Sequence, residues 1–139
     1  MGSSIPTHSF EEHTGEVLLR VVAPSLPQLF VEAGLALADL MAEQRAPSSR
    51  ESPETVAIRA PDREALLVEW LNELIFRSET QQKIYDHIHI THLSDNELRA
   101  EIRGAFPERL RTSVKAATFH RLKIQPEVNG YSATVVLDV

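Results

Sequence analysis

The sequence predicts one α+β domain in two layers, a largely antiparallel sheet with two amphipathic helices packed on one side. Three observations carry this. Apolar residues recur at helical spacing in two segments. The rest of the chain alternates or runs apolar in short stretches, as strands do. The later stretches are joined by turns too short for the crossovers that parallel strands need. At 139 residues the chain has the size of one domain, assigned here to residues 9–139, with 1–8 expected to be a disordered N-terminus. Met1–Ser4, native or a cloning remnant, stay outside the fold reasoning.

Val17–Val22, between Gly15 and Pro24, reads as a buried strand. Ser25 then opens a helix: its hydroxyl can cap while Gln28, three residues on, reaches back, and Pro27 falls in the first turn, where backbone donors are unpaired anyway. Leu26, Leu29, Phe30, Ala33, Leu37, Leu40 and Met41 form its buried stripe. Arg45–Glu54, with Pro47, Pro53 and three serines, reads as a surface loop. Thr55–Ala60 is a short strand with Val56 and Ile58 on one face. Asp62 caps the second helix, whose stripe is Leu67, Trp70, Leu71, Leu74 and Ile75, while Arg63, Glu64, Glu69, Glu73 and Arg77 look outward.

Lys83–His92 alternates, with Ile84, Ile88 and Ile90 on one face and Tyr85, His87, His89 and Thr91 on the other. Ser94-Asp95-Asn96 turns the chain into a second alternating run, Leu98, Ala100 and Ile102, which makes a hairpin. Phe106–Ser113 is irregular. Val114–Phe119, Leu122–Gln125 and Tyr131–Val139 complete the strands, with Val128-Asn129-Gly130 as the last turn.

Composition excludes several functions. The chain is 42% hydrophobic and 24% charged, which is that of a globular protein rather than a disordered one. It has no cysteine, which rules out disulfides, iron–sulfur clusters, zinc ribbons and a thiol nucleophile. A net charge of −6 argues against a broad footprint for nucleic-acid backbone or anionic lipid. No apolar run approaches a membrane span, and the first ten residues lack the layout of a signal peptide, so a cytoplasmic protein without membrane contact is expected. No P-loop, G-x-G-x-x-G or G-x-S-x-G motif is present. His87 and His89 share a strand face but lack further ligands at metal-binding spacing. Near the chain ends, acidic residues interrupt apolar strands: Glu16 precedes Val17, and Asp138 follows Leu137 beside the terminal carboxylate of Val139. If those strands are neighbours, three carboxylates converge. Two readings stay open, hydrated groups at strand ends or an all-oxygen set for a hard cation.

Four segments in order, Phe10–Val17, Leu67–Leu74, Val114–His120 and Val135–Val139, resemble the archease family across nearly the whole chain. The resemblance implies a non-enzymatic accessory protein of the tRNA-splicing ligase that uses GTP and Mn²⁺ to join 2′,3′-cyclic-phosphate or 3′-phosphate RNA ends to 5′-hydroxyl ends. It implies promotion of ligase guanylylation and multiple turnover, with RNA met only through the ligase. It also implies a divalent hard cation, Ca²⁺, Mg²⁺ or Mn²⁺, held by Glu16, Asp138 and Val139. Glu16 stands where the family's His-Thr-Ala-Asp motif has aspartate, Gly15 where it has alanine, and Leu18 where a small residue is usual. The longer side chain of Glu16 would shift, weaken or make bidentate its coordination. Lys115, in the segment matching the family's Lys-Ala-Val-Thr-Tyr, is the further functional candidate, with His120 ranked below it. A rival reading is a metal-independent, chaperone-like interaction module that uses the strand face around His87 and His89.

Overall fold

The computed structural model of the chain describes residues 5–45, 52–110 and 112–139. Among them the elements run β1 (Thr7–His13), β2 (Glu16–Ala23), α1 (Leu26–Met41), β3 (Ala42–Arg45), β4 (Glu54–Arg59), α2 (Arg63–Gln81), β5 (Ile84–Leu93), β6 (Glu97–Ala105), β7 (Pro107–Leu110), β8 (Ala116–Thr118), β9 (Ile124–Glu127) and β10 (Gly130–Asp138). Every strand pairing among the described residues is antiparallel. The expected α+β layout therefore holds, with the strands shared among three sheets. The largest has the order β1-β2-β10-β8, with β9 also on β10; the others are β4-β6-β5 and β3-β7.

The alternation in β2 buries Val17, Leu19, Val21 and Ala23, and their partners Leu137, Val135 and Ala133 in β10 are buried with them. Against this face lies α1. Its N-cap works as the sequence predicts: the Gln28 amide donates to Ser25 Oγ at 3.3 Å, and the Ser25 hydroxyl donates to Gln28 Oε1 at 2.8 Å. Beyond the apolar stripe, Gly34, Ala36 and Ala38 are buried too, so α1 is covered on nearly every side, as a core helix must be. It touches β1, β2 and β10 of one sheet and β5 of another, which is how two sheets come to share one core. Gly34 permits the close approach, since a Cβ there would stand 2.6 Å from Ile88 Cδ1 and 3.1 Å from Leu74 Cδ1.

The second helix starts at Asp62, whose carboxylate accepts from the Ala65 amide at 2.8 Å, and ends at Gln82 in the left-handed region, φ 56°. Fully buried Trp70 donates its indole N–H to the Phe30 carbonyl of α1 at 2.9 Å. Asn72 forms a reciprocal pair with the Ala117 backbone, accepting from its N–H at 2.8 Å and donating to its carbonyl at 3.2 Å. The short strand β8 is thus fastened between β10 and α2.

Four expectations need adjusting. Regular structure begins at Thr7 rather than near Ser9, because His8 is gripped by two α1 carboxylates, Glu32 at 2.5 Å and Asp39 at 3.3 Å. Met1–Ser4 lie outside the described residues. Tyr85 is buried rather than facing solvent with His87 and His89. A bulge between Tyr85 and His87 resets the alternation, Gly104 opposite leaves room for the ring, and the phenol donates to Glu54 Oε2 at 2.7 Å. Part of the stretch read as irregular, Pro107–Leu110, is a strand paired with β3; a four-residue strand is too short to show a period. Of the loop expected over Arg45–Glu54, Arg45 closes β3, Glu54 opens β4, and 46–51 lie outside the described residues.

Two tests follow from this framework. Gly130 sits at φ +147°, where an added Cβ would fall 2.1 Å from the Ala23 carbonyl oxygen. Gly130→Ala should cost more than about 1 kcal/mol in urea unfolding, with the start of the β2–β10 ladder displaced. Glu54 joins β4 to α2 and β5. Burial pushes its carboxyl pKa up, but hydrogen bonds from Tyr85 and Gln81 and the charges of Lys83 and Arg77 outweigh that and hold it below the ordinary 4.5. A folded-state value below the unfolded one stabilises the protein above pH 4.5, and that stability is lost as pH falls through the lowered value. Unfolding free energies of the parent and Glu54→Gln should therefore differ most near neutrality and converge below pH 4.5.

Candidate functional site at the end of the large sheet

The chain enters β2 through a two-residue turn, Thr14-Gly15, in which Gly15 takes φ +74°. Such a positive φ suits a residue without a Cβ. The turn sets His13 directly opposite Glu16. On the other side of β2, Glu16 is opposite Asp138, and Asp138 is opposite Ala116 of β8. Residues paired across antiparallel strands share a face. His13, Glu16, Asp138 and Ala116 therefore form one row across four strands. That face points away from the helices, because the next positions inward, Val17, Leu137 and Ala117, are buried in the core.

Two backbone bonds close the arrangement. The Val139 N–H donates to the Gly15 carbonyl at 3.1 Å, and the Lys115 N–H donates to the Asp138 carbonyl at 2.8 Å. The terminal residue is thereby held beside the β1–β2 turn. Glu16 is exposed, while Asp138 and Val139 are half-buried. Like charges directly opposite one another on a sheet destabilise it, so the Glu16–Asp138 pair leaves a concentrated negative charge at one sheet end. Among the described residues no group of three or more His, Cys, Asp or Glu side chains is arranged as a metal site. A cation here would rest on the side-chain carboxylates of Glu16 and Asp138 and on a Val139 oxygen beside them. That donor set is all oxygen and fits a hard cation with solvent completing its shell.

The positions nominated from sequence divide into two groups. Glu16, Asp138 and Val139 come together, and Lys115 joins them through its backbone. The exposed Lys115 side chain lines a cleft at the carboxyl end of α2, on the helix side of the sheet. His87 and His89 do not join them. They lie exposed in the β4-β6-β5 sheet, opposite Arg103 and Glu101. His120 is exposed in the turn after β8, its N–H on Thr118 Oγ1 at 3.4 Å. One neighbour of the carboxylates was not singled out from sequence: His13, whose Nε2 lies 3.2 Å from Glu11 Oε1. Reading His13-Thr14-Gly15-Glu16 as a hairpin turn would have placed it opposite Glu16. No described helix is long and apolar enough to cross a membrane.

Comparison with known proteins finds matches along nearly the whole chain. A sequence model of the Archease protein family matches residues 8–139. Protein archease of Methanopyrus kandleri is 33% identical, over 92% of this chain and 96% of that protein. Protein archease of Methanosarcina acetivorans is 26% identical over 100% of both. Among solved structures, the solution structure of protein 1598 of Methanobacterium thermoautotrophicum aligns with a TM-score of 0.73 at 27% identity, covering 95% of this chain and 98% of that one. The crystal structure of a Thermotoga maritima archease, described as a possible chaperone, aligns with a TM-score of 0.64 at 20% identity, covering 93% and 94%, a likeness of fold.

The carboxylate row can be tested without any partner. Titrating Ca²⁺, Mg²⁺ and Mn²⁺ into the protein should raise its unfolding temperature, with a gain approaching about 2.7 kcal/mol at one hundred times the dissociation constant. Glu16→Gln and Asp138→Asn should each abolish the metal-dependent rise while folding in metal-free buffer at least as stably as the parent, since each relieves like-charge repulsion.

Proposed function

The chain belongs to the archease family, and on that premise we propose that it is a non-enzymatic activator of a GTP- and Mn²⁺-dependent RNA ligase. Its partner would join 2′,3′-cyclic-phosphate or 3′-phosphate RNA ends to 5′-hydroxyl ends, as in tRNA splicing and RNA repair in the cytoplasm. The activator would promote guanylylation of the ligase and so allow it to turn over repeatedly, meeting RNA only through the ligase. The observation that supports this most directly is the register that sets Glu16 opposite Asp138, with Val139 fastened beside them.

In this reading Glu16, Asp138 and Val139 hold a divalent hard cation. When bound, it would supply neutralisation of phosphate charge as pyrophosphate leaves GTP. The residues of this chain do the rest. Exposed Glu16 lets its end of the sheet meet a partner directly, and Gly15 and Lys115 fix the backbone on either side of the carboxylates so that they need not reorganise on docking. The net charge of −6 suits a ligase that must present a positive groove to RNA, and it would steer a transient encounter.

A second reading, a metal-independent chaperone-like module, draws on the exposed β5 face carrying His87 and His89 and on the description of the Thermotoga maritima relative as a possible chaperone. Multiple-turnover joining of a 3′-phosphate RNA to a 5′-hydroxyl RNA by the cognate ligase, with GTP and Mn²⁺, separates the two. This protein should stimulate joining when present well below the ligase concentration, and Asp138→Ala should lower the stimulation by about tenfold or more, the scale on which damaged metal sites lose affinity or activity. Full stimulation by Asp138→Ala would overturn the cation-holding reading in favour of the module.

A further inference from the structure

The cleft that Lys115 lines has no part in the carboxylate row. It is open, about 850 Å³ in volume, and within the ~300–1,000 Å³ range of small-molecule sites. The chain has three lysines, Lys83, Lys115 and Lys123, and two of them line this one cleft. They are not equivalent. Lys83 Nζ lies 3.6 Å from Glu54 and 5.8 Å from the centre of the Phe106 ring, so its charge is already engaged. No ion pair joins the exposed Lys115 ammonium to a described carboxylate. Thr112 and Ser113, which precede it by two or three residues, add hydroxyls to the same lining.

The remaining lining narrows the chemistry. Phe106 is 47% exposed, an aromatic ring with the Lys83 ammonium over one face and the other left for a planar ligand, while Ile75 and Val114 give an apolar floor. Glu79 stands at the carboxyl end of α2. Its charge and the helix dipole repel an anion there, while its carboxylate oxygens can accept hydrogen bonds from hydroxyls. Inorganic phosphate would use Lys115 and its neighbours and leave the ring and floor uncovered; an uncharged apolar ligand would do the reverse. A ligand with an anionic group, hydroxyls and a planar ring uses all three regions.

We propose that this cleft binds a nucleoside monophosphate, its phosphate on Lys115, Thr112 and Ser113, its ribose hydroxyls on Glu79 and its base stacked on Phe106. The assignment stands on the cleft and does not depend on the ligase reading. The same chemistry could come from a free nucleotide or from the phosphorylated 3′ end of an RNA.

The test is an NMR titration of the whole chain, without ligase, using guanosine and adenosine 5′-monophosphates, ribose 5-phosphate, guanosine, inorganic phosphate and a short 3′-phosphorylated oligonucleotide. A nucleoside monophosphate, free or as the oligonucleotide end, should shift the amides of Phe106, Ser113, Lys115 and Glu79. It should bind about tenfold tighter than ribose 5-phosphate or inorganic phosphate, in keeping with base stacking on an aromatic ring. Lys115→Ala should weaken that binding about tenfold, Phe106→Ala should remove the advantage over ribose 5-phosphate, and Lys123→Ala should change neither. Binding by the oligonucleotide alone would name the RNA end as the source and replace the reading in which RNA is met only through the ligase, and binding by the mononucleotides alone would name the free nucleotide. Inorganic phosphate binding as tightly as the nucleotides, unchanged affinity in both cleft variants, or shifts confined to other surfaces would overturn the proposal.

Discussion

The antiparallel pairing of β2 with β10 brings the first long apolar strand of the chain against the last. On the helix side this pairing lays Val17, Leu19 and Val21 beside Leu137, Val135 and Ala133 and so builds the floor on which α1 rests. On the opposite side it sets Glu16 against Asp138. Core and candidate site are thus two faces of one ladder. A slip of one residue would expose the apolar set and bury the carboxylates, so the energy that fixes the core also fixes the site.

Around that ladder, hydrogen bonds between elements act where packing alone would leave freedom. The Trp70 indole ties α2 to α1, and Asn72 substitutes for a neighbouring strand along the free edge of β8. Held this way, β8 presents Lys115 at the sheet end with its amide on the Asp138 carbonyl. The carboxylate row outside the sheet and the cleft beneath it therefore meet at Lys115, the residue that leads into this short strand. A ligand on either side would act on the same backbone, which gives the two surfaces a physical route to influence each other.

Periodicity was enough for both helices, both caps and the β5–β6 hairpin, because those features are set by neighbours within a few residues. It was not enough for Tyr85, whose burial depends on a bulge and on Gly104 in the partner strand. It also missed Pro107–Leu110, a strand only because β3 lies beside it. The acidic residues opening β2 and closing β10 were conspicuous because carboxylates rarely interrupt apolar strands. Their convergence depended on strand order, which no local pattern encodes. His13 is a different case: its opposition to Glu16 follows from the two-residue Thr14-Gly15 turn, a local signal that apolar periodicity does not register.

By itself, the sequence determined the fold class, the two helices with their buried faces, the absence of cysteine chemistry and, through four ordered segments, the resemblance to a family. All of these rest on residue type and short-range spacing, which survive without coordinates. The tertiary structure alone decided that the strands divide into three sheets, that Glu16, Asp138 and Val139 meet at one sheet end, and that Lys115 turns its side chain into a cleft while its backbone holds Asp138. Those outcomes depend on pairings between residues distant in the chain, chosen by the burial of whole apolar faces at once.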